Sequence, residues 1–201
     1  MNVTNSTSQF WWISACISST LLTSIAIIGS AGNLVSVVVF LHPKLRKLSI
    51  NIILAVLSLV DFALLTVCLP VFITGPLVGT LGYRGFLLRL TSFSVVYLYP
   101  LSTMFHCSSV WLLITVTVER WLAVCNPFLV GQANHRCRAL TVVAVVCAIS
   151  SAYNLVRFWE FERSCDKRCY KMTLRQNQLY VLLYDTVANM AVVYAAPLVI
   201  L

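Results

Sequence analysis

Five runs of the sequence, each about 20 residues or longer and nearly free of charge, set the terms on which this chain can fold. They fall at about 10–41, 50–74, 86–121, 139–159 and 178–201, behind a polar tail at 1–9. A run of that length matches the thickness of a hydrocarbon core when it is helical, and inside lipid every backbone N–H and C=O must find its partner within the segment. Only 10% of residues are charged and the mean hydropathy is +0.89, too little polar surface to solvate a globule of this size. Membrane-barrel strands would need strict alternation of apolar and polar residues, which is absent. The expected fold is therefore all-α, a polytopic transmembrane helical bundle solvated by membrane lipid.

A formal charge of +8 in a soluble protein would suggest nucleic acid. Here the basic residues lie in the short connections between apolar runs, where a membrane surface accounts for them, and no nucleic-acid partner is expected. The tail has no Lys or Arg, whereas Lys44, Arg46 and Lys47 follow the first run directly. Basic residues favour the cytoplasmic side, so the N-terminus is expected outside. The remaining loops do not follow the rule cleanly, because the outer side collects most of its basic residues between Arg157 and Arg175; the first span is taken to dominate. No basic stretch precedes a short apolar one with a small-residue cleavage site, so the first run is read as an anchor rather than a removable leader. Asn2 and Asn5 each begin a glycosylation triplet, accessible only if the tail is outside.

Six cysteines, Cys16, Cys68, Cys107, Cys125, Cys137 and Cys147, lie in or beside spans and behave there as small apolar residues. Cys165 and Cys169 share a polar connection with no histidine near, a poor zinc site. Either they are oxidised to each other or one is bridged elsewhere.

Polar residues inside spans carry more information. Asp61 sits near the middle of the second run, where an ionised carboxylate is costly unless it faces the bundle interior and meets polar groups, a cation or a proton. Asn33 and Ser109 lie at matching depth on the first and third runs, although both residue types are also ordinary at helix contacts. At the cytoplasmic end of the third run, Glu119 and Arg120 stand side by side before Trp121; taken alone, such a pair marks a helix leaving lipid.

Taken together, Gly32-Asn33, "LSLVD" ending at Asp61, "ERW" at Glu119 to Trp121, "CNPF" at Cys125 to Phe128 and "YAAP" ending at Pro197 resemble helices one to five of rhodopsin-family G-protein-coupled receptors. Within that family, "VVYLYPLSTMF" at 95–105, "YNLVRFWEF" at 153–161 and "LRQNQLY" at 174–180 are similar to invertebrate FMRFamide-type neuropeptide receptors.

The resemblance implies roles. Glu119 would hold Arg120 at rest, and on activation Arg120, with Trp121, Pro127 and Phe128, would help receive a heterotrimeric G protein. Asp61, Asn33 and Ser109 would form an interior site for an allosteric sodium ion, with no other cofactor expected. Where amine receptors carry an aspartate in the third helix this chain has Ser102, which disfavours an amine and leaves an extracellular amidated peptide. Tyr99, Ser102, Thr103 and His106 would face that ligand, with Trp159 and Phe161 as aromatic neighbours and Glu160, Glu162 or Asp185 as an acid for its guanidinium. The run around Glu162 to Arg168 also reads as a solvated loop.

The chain departs from the pattern at Trp121, where the family has tyrosine, since indole donates a hydrogen bond but does not accept one. Val95 occupies the place of the usual bridging cysteine, which leaves Cys165 and Cys169 to each other, and Val156 stands where related peptide receptors carry proline. Helices six and seven have no counterpart in the 201 residues. A second reading is therefore a truncated, non-signalling receptor that acts by pairing with a complete one. A third, a transporter component, rests on Asp61 alone and lacks internal repeats or broken helices. His42, His106 and His135 lie far apart along the chain and assemble no triad or metal set, so no enzyme is expected. Plasma membrane is the expected location.

Overall fold

The computed structural model describes residues 3–45, 48–81, 85–125, 135–164 and 170–200. Helix α1 spans Val3–Phe40 and α2 Ser49–Leu81. Helix α3 spans Gly85–Cys125, α4 spans His135–Asn154 with a 3-10 continuation through Leu155–Trp159, and α5 spans Gln178–Ile200. A short hairpin of β1, Phe161–Arg163, and β2, Tyr170–Met172, joins α4 to α5, with Phe161 opposite Met172 and Arg163 opposite Tyr170. All five helices contain stretches long and apolar enough to cross a membrane, beginning at Cys16 in α1. This is the helical bundle that the five runs predict.

Helix α2 lies at the centre, packed against α1, α3 and α4, and α3 also packs against α4. The core is where those three meet: Ile53 and Val60 of α2, Leu112 of α3, and Ala139 and Val143 of α4. The opposite pattern holds outside. Ile28, Val38, Leu198 and Val199 are exposed apolar side chains of a kind that water would penalise and lipid accepts. On α1, Gly29 permits close approach to α2, since a Cβ there would stand 2.8 Å from Leu65 Cδ1.

Two prolines explain irregularities in the long helices. A proline ring clashes with the carbonyl four residues earlier and lacks an N–H, so the preceding turn must open. In α3 the turn Ser94–Leu98 is widened to a π-type geometry just before Pro100, and in α5 Met190–Ala195 is widened just before Pro197. The Ser102 hydroxyl donates to the Tyr99 carbonyl at 2.7 Å and Thr103 to that of Pro100 at 2.7 Å, supplying partners to carbonyls near the proline. Helix α5 opens with Asn177 as N-cap, its side chain accepting from the Leu179 N–H at 3.0 Å.

Candidate functional site

One end of the bundle holds a buried ion network built from α3, α4, the hairpin region and α5. Arg157, in the last turn of α4, is 2% exposed and Glu160 is fully buried. Arg157 Nη1 donates to Glu160 Oε1 at 3.1 Å, to Asp185 Oδ1 of α5 at 3.1 Å and to the Tyr99 hydroxyl of α3 at 3.3 Å. A guanidinium Nη carries only two hydrogens, so the longer Tyr99 contact shares one of them. Arg157 Nε donates to Asn154 Oδ1 at 3.3 Å, and the guanidinium lies 5.4 Å from the centre of the Tyr184 ring.

Tyr180 and Arg175 add further contacts to the two acids. The Tyr180 hydroxyl donates to Glu160 Oε1 at 2.8 Å, and Arg175 Nη2 donates to Asp185 Oδ2 at 2.8 Å. Arg175 also lies 5.8 Å from the centre of the Phe161 ring, which meets Tyr99 edge-on. The hydrogen bond that Arg175 donates to Asp185, ahead of the opposing effect of burial, raises the pKa of Arg175 above its ordinary value. Two guanidinium groups thus face two carboxylates, and burial of each charge is compensated by its partners. Glu160 Oε2 is buried and has no hydrogen-bond partner among the described residues.

The site residues expected from sequence divide between this network and other places. Tyr99, Glu160 and Asp185 belong to it. Trp159 does not: it is 60% exposed, while Phe161 is buried beside Tyr99 and Arg175. Glu162 is exposed on β1. Ser102, Thr103 and His106 line a different space, an apolar cavity of about 300 Å³ bounded by Ala26 of α1 and by Leu65, Cys68 and Phe72 of α2. The single ligand-facing surface expected on α3 is therefore divided along the helix, Tyr99 reaching the network and the three residues one to two turns further on lining the cavity. Glu160 and Asp185 were expected as free acids for a ligand; both already hold arginines of the same chain.

Sequence reading passed over Arg157, Arg175, Tyr180 and Tyr184. The spacing of Arg157 and Glu160, three residues apart at the end of an apolar run, was the legible sign of an ion pair.

Deeper in the bundle, the Ser109 hydroxyl donates to Asp61 Oδ1 at 2.5 Å, joining α3 to α2 as their matched depth predicts. Among the described residues Asn33 makes no hydrogen bond to Asp61. A carboxylate with one hydroxyl beside it is the start of an oxygen-donor set suited to a hard cation. No cluster of three or more His, Cys, Asp or Glu is found among the described residues.

At the other end of the bundle the expected pair is different. Glu119 Oε1 accepts from Arg138 Nη2 of α4 at 3.3 Å, not from Arg120, which is exposed, as is Trp121 at 60%. Adjacent residues on a helix point about a hundred degrees apart, so a partner on the neighbouring helix reaches Glu119 more directly than Arg120 does. Pro127, Phe128, Cys165, Cys169 and Asn2 lie outside the described residues, and the backbone of Asn5 lies in α1. The six cysteines expected to be unbridged, Cys16 to Cys147, are free.

Residues 32–201 match the family described as 7 transmembrane receptor (rhodopsin family). The chain belongs to that family. This rhodopsin-family chain is 32% identical over 143 residues to FMRFamide peptide receptor frpr-18 of Caenorhabditis elegans, a match covering 68% of this chain and 32% of that one. It is 29% identical over 160 residues to the FMRFamide receptor of Drosophila melanogaster, covering 78% and 28%. Galanin receptor 2a of Danio rerio is 26% identical over 144 residues, covering 71% and 38%. The rhodopsin-family chain spans about a third of the length of these relatives. It is a multi-pass membrane protein that resembles FMRFamide receptors.

Proposed function

We propose that the chain is the ligand-facing part of a neuropeptide receptor in the plasma membrane, with its N-terminus outside, which signals through a heterotrimeric G protein. The observation that carries the reading is the network of Arg157, Glu160, Asp185 and Arg175 walled by Tyr99, Phe161, Tyr180 and Tyr184 at one end of the bundle. Carboxylates beside aromatic faces have the chemistry to recognise a peptide that ends in an amidated Arg-Phe. Two relatives carry FMRFamide in their names, which supports the same ligand class.

An agonist there would favour one arrangement of α3, α4 and α5 over another, and only a differential affinity for the two arrangements can drive the change. At the far end, release of Glu119 from Arg138 would free the surface that includes Arg120 and Trp121 for the G protein, with Pro127 and Phe128 beside it. Asp61 and Ser109 would hold a sodium ion that stabilises the resting arrangement. Glycans would sit on Asn2 and Asn5, and a receptor dimer is compatible with the exposed apolar helix faces.

The test is a nucleotide-exchange assay on membranes expressing the full-length gene product, challenged with Phe-Met-Arg-Phe-amide and other amidated Arg-Phe peptides. Exchange that rises with peptide concentration is expected. Correct surface expression with no response to any of them would overturn the ligand class.

A further inference from the structure

The two arginines of the network are not equivalent. Arg157 is 2% exposed, holds both acids and lies against Tyr184. Arg175 lies in the 3-10 turn Leu174–Gln176, outside the spans; its side chain is 33% exposed, and among the described residues its one ion-pair partner is Asp185. Withdrawing Arg157 would leave Glu160 buried and uncompensated, whereas Asp185 would still be held by Arg157 if Arg175 left. An arginine that is already part-hydrated also loses little by returning to water.

What Arg175 touches is equally specific. Its guanidinium has a carboxylate oxygen on one side, at 2.8 Å, and an aromatic ring on the other, at 5.8 Å from the ring centre. These are the two partners that a ligand guanidinium would seek.

We propose that Arg175 is a built-in competitor, occupying the guanidinium subsite formed by Asp185 and Phe161, so that a cationic peptide binds by displacing it and Arg175 sets the affinity threshold. This rests on the peptide-receptor reading. Displacement exchanges one guanidinium for another at the same acid, so the attraction gained is offset by the attraction lost, and the apparent affinity falls by the fraction of receptors in which the subsite is vacant. A neutral side chain gains too little at Asp185 to displace Arg175, so a ligand without the cation binds with Arg175 in place and has no stake in that exchange.

The experiment compares equilibrium binding of radiolabelled Phe-Met-Arg-Phe-amide with that of its citrulline analogue, which keeps the shape and loses the charge. Membranes carry the full-length gene product as wild type, Arg175→Gln, Arg175→Lys or Asp185→Asn, with surface expression measured by antibody. If the subsite is vacant in about a tenth of wild-type receptors, Arg175→Gln tightens the arginine peptide about tenfold and leaves the citrulline peptide within about twofold. Arg175→Lys, which keeps the charge without the planar fork, falls between. Asp185→Asn removes the preference for arginine over citrulline.

Equal weakening of both peptides by Arg175→Gln, in a variant that reaches the surface, would make Arg175 a brace and sink the proposal. Loss of binding of both peptides by every chain, wild type included, would instead refute the peptide reading, and the proposal with it.

Discussion

Arg157 reaches across from the end of α4 to Asp185 of α5, Nη1 to Oδ1 at 3.1 Å, while the same nitrogen holds Glu160 at 3.1 Å. One buried guanidinium thereby ties the link between two helices to a carboxylate that has no access to water. The arrangement fixes the geometry of α5 against α4 at this end of the bundle.

Removing Arg157 strands Glu160. Arg157→Ala is expected to cost about 3–5 kcal/mol of stability, because an unpaired charge remains in a site from which water is excluded. Arg157→Lys should recover only part of it, since one ammonium cannot reproduce the fork that serves Glu160, Asp185 and Asn154. Thermal unfolding in detergent checks both, and a melting temperature unchanged by Arg157→Ala would contradict the burial of the pair.

Asp61 and Ser109 are expected to separate by size of effect. Ser109→Ala loses one hydrogen bond to a charged group, about 1.5–3 kcal/mol at most. Asp61→Asn should abolish any stabilisation by sodium chloride over the same concentration of choline chloride. Retention of a sodium-specific increase in melting temperature by Asp61→Asn would remove the cation from this site.

Glu119 and Arg138 act together. Arg138 is 40% exposed, so the pair contributes about 0–1 kcal/mol to stability and the melting temperature of Arg138→Ala should barely move. Its expected effect is on signalling: Arg138→Ala and Glu119→Gln should raise basal nucleotide exchange to similar extents, and the double substitution should add little. Additive increases would show that Glu119 acts through another partner.

Gly29 reports on the α1 and α2 contact. Alanine there meets only the far end of the flexible Leu65 side chain, which can turn away, so Gly29→Ala should cost under about 1 kcal/mol. Gly29→Leu should cost about 1–3 kcal/mol, and Leu65→Ala should relieve part of that loss. Equal stability of Gly29→Leu and the wild type would place the helices farther apart than described.

Much of the fold was written in local chemistry. Five long apolar runs determined five helices, since lipid leaves the backbone no other economical partner, and an acid in the middle of one run required a polar neighbour, met at Ser109. Pro100 and Pro197 account for the widened turns just before them, whereas the widened stretch Val181–Ala188 has no proline beside it. Which charges pair was decided only by the tertiary structure. Glu119 found Arg138 on another helix rather than its neighbour Arg120, and Asp185 found two arginines 28 and 10 residues away. Ion pairing is a property of distance in space and of exclusion from water, and neither is fixed until the helices have packed. The sequence by itself determined that the chain spans a membrane as helices and that Asp61 needs a polar neighbour; packing alone decided that Glu160 and Asp185 are buried or half-buried and already occupied by arginines.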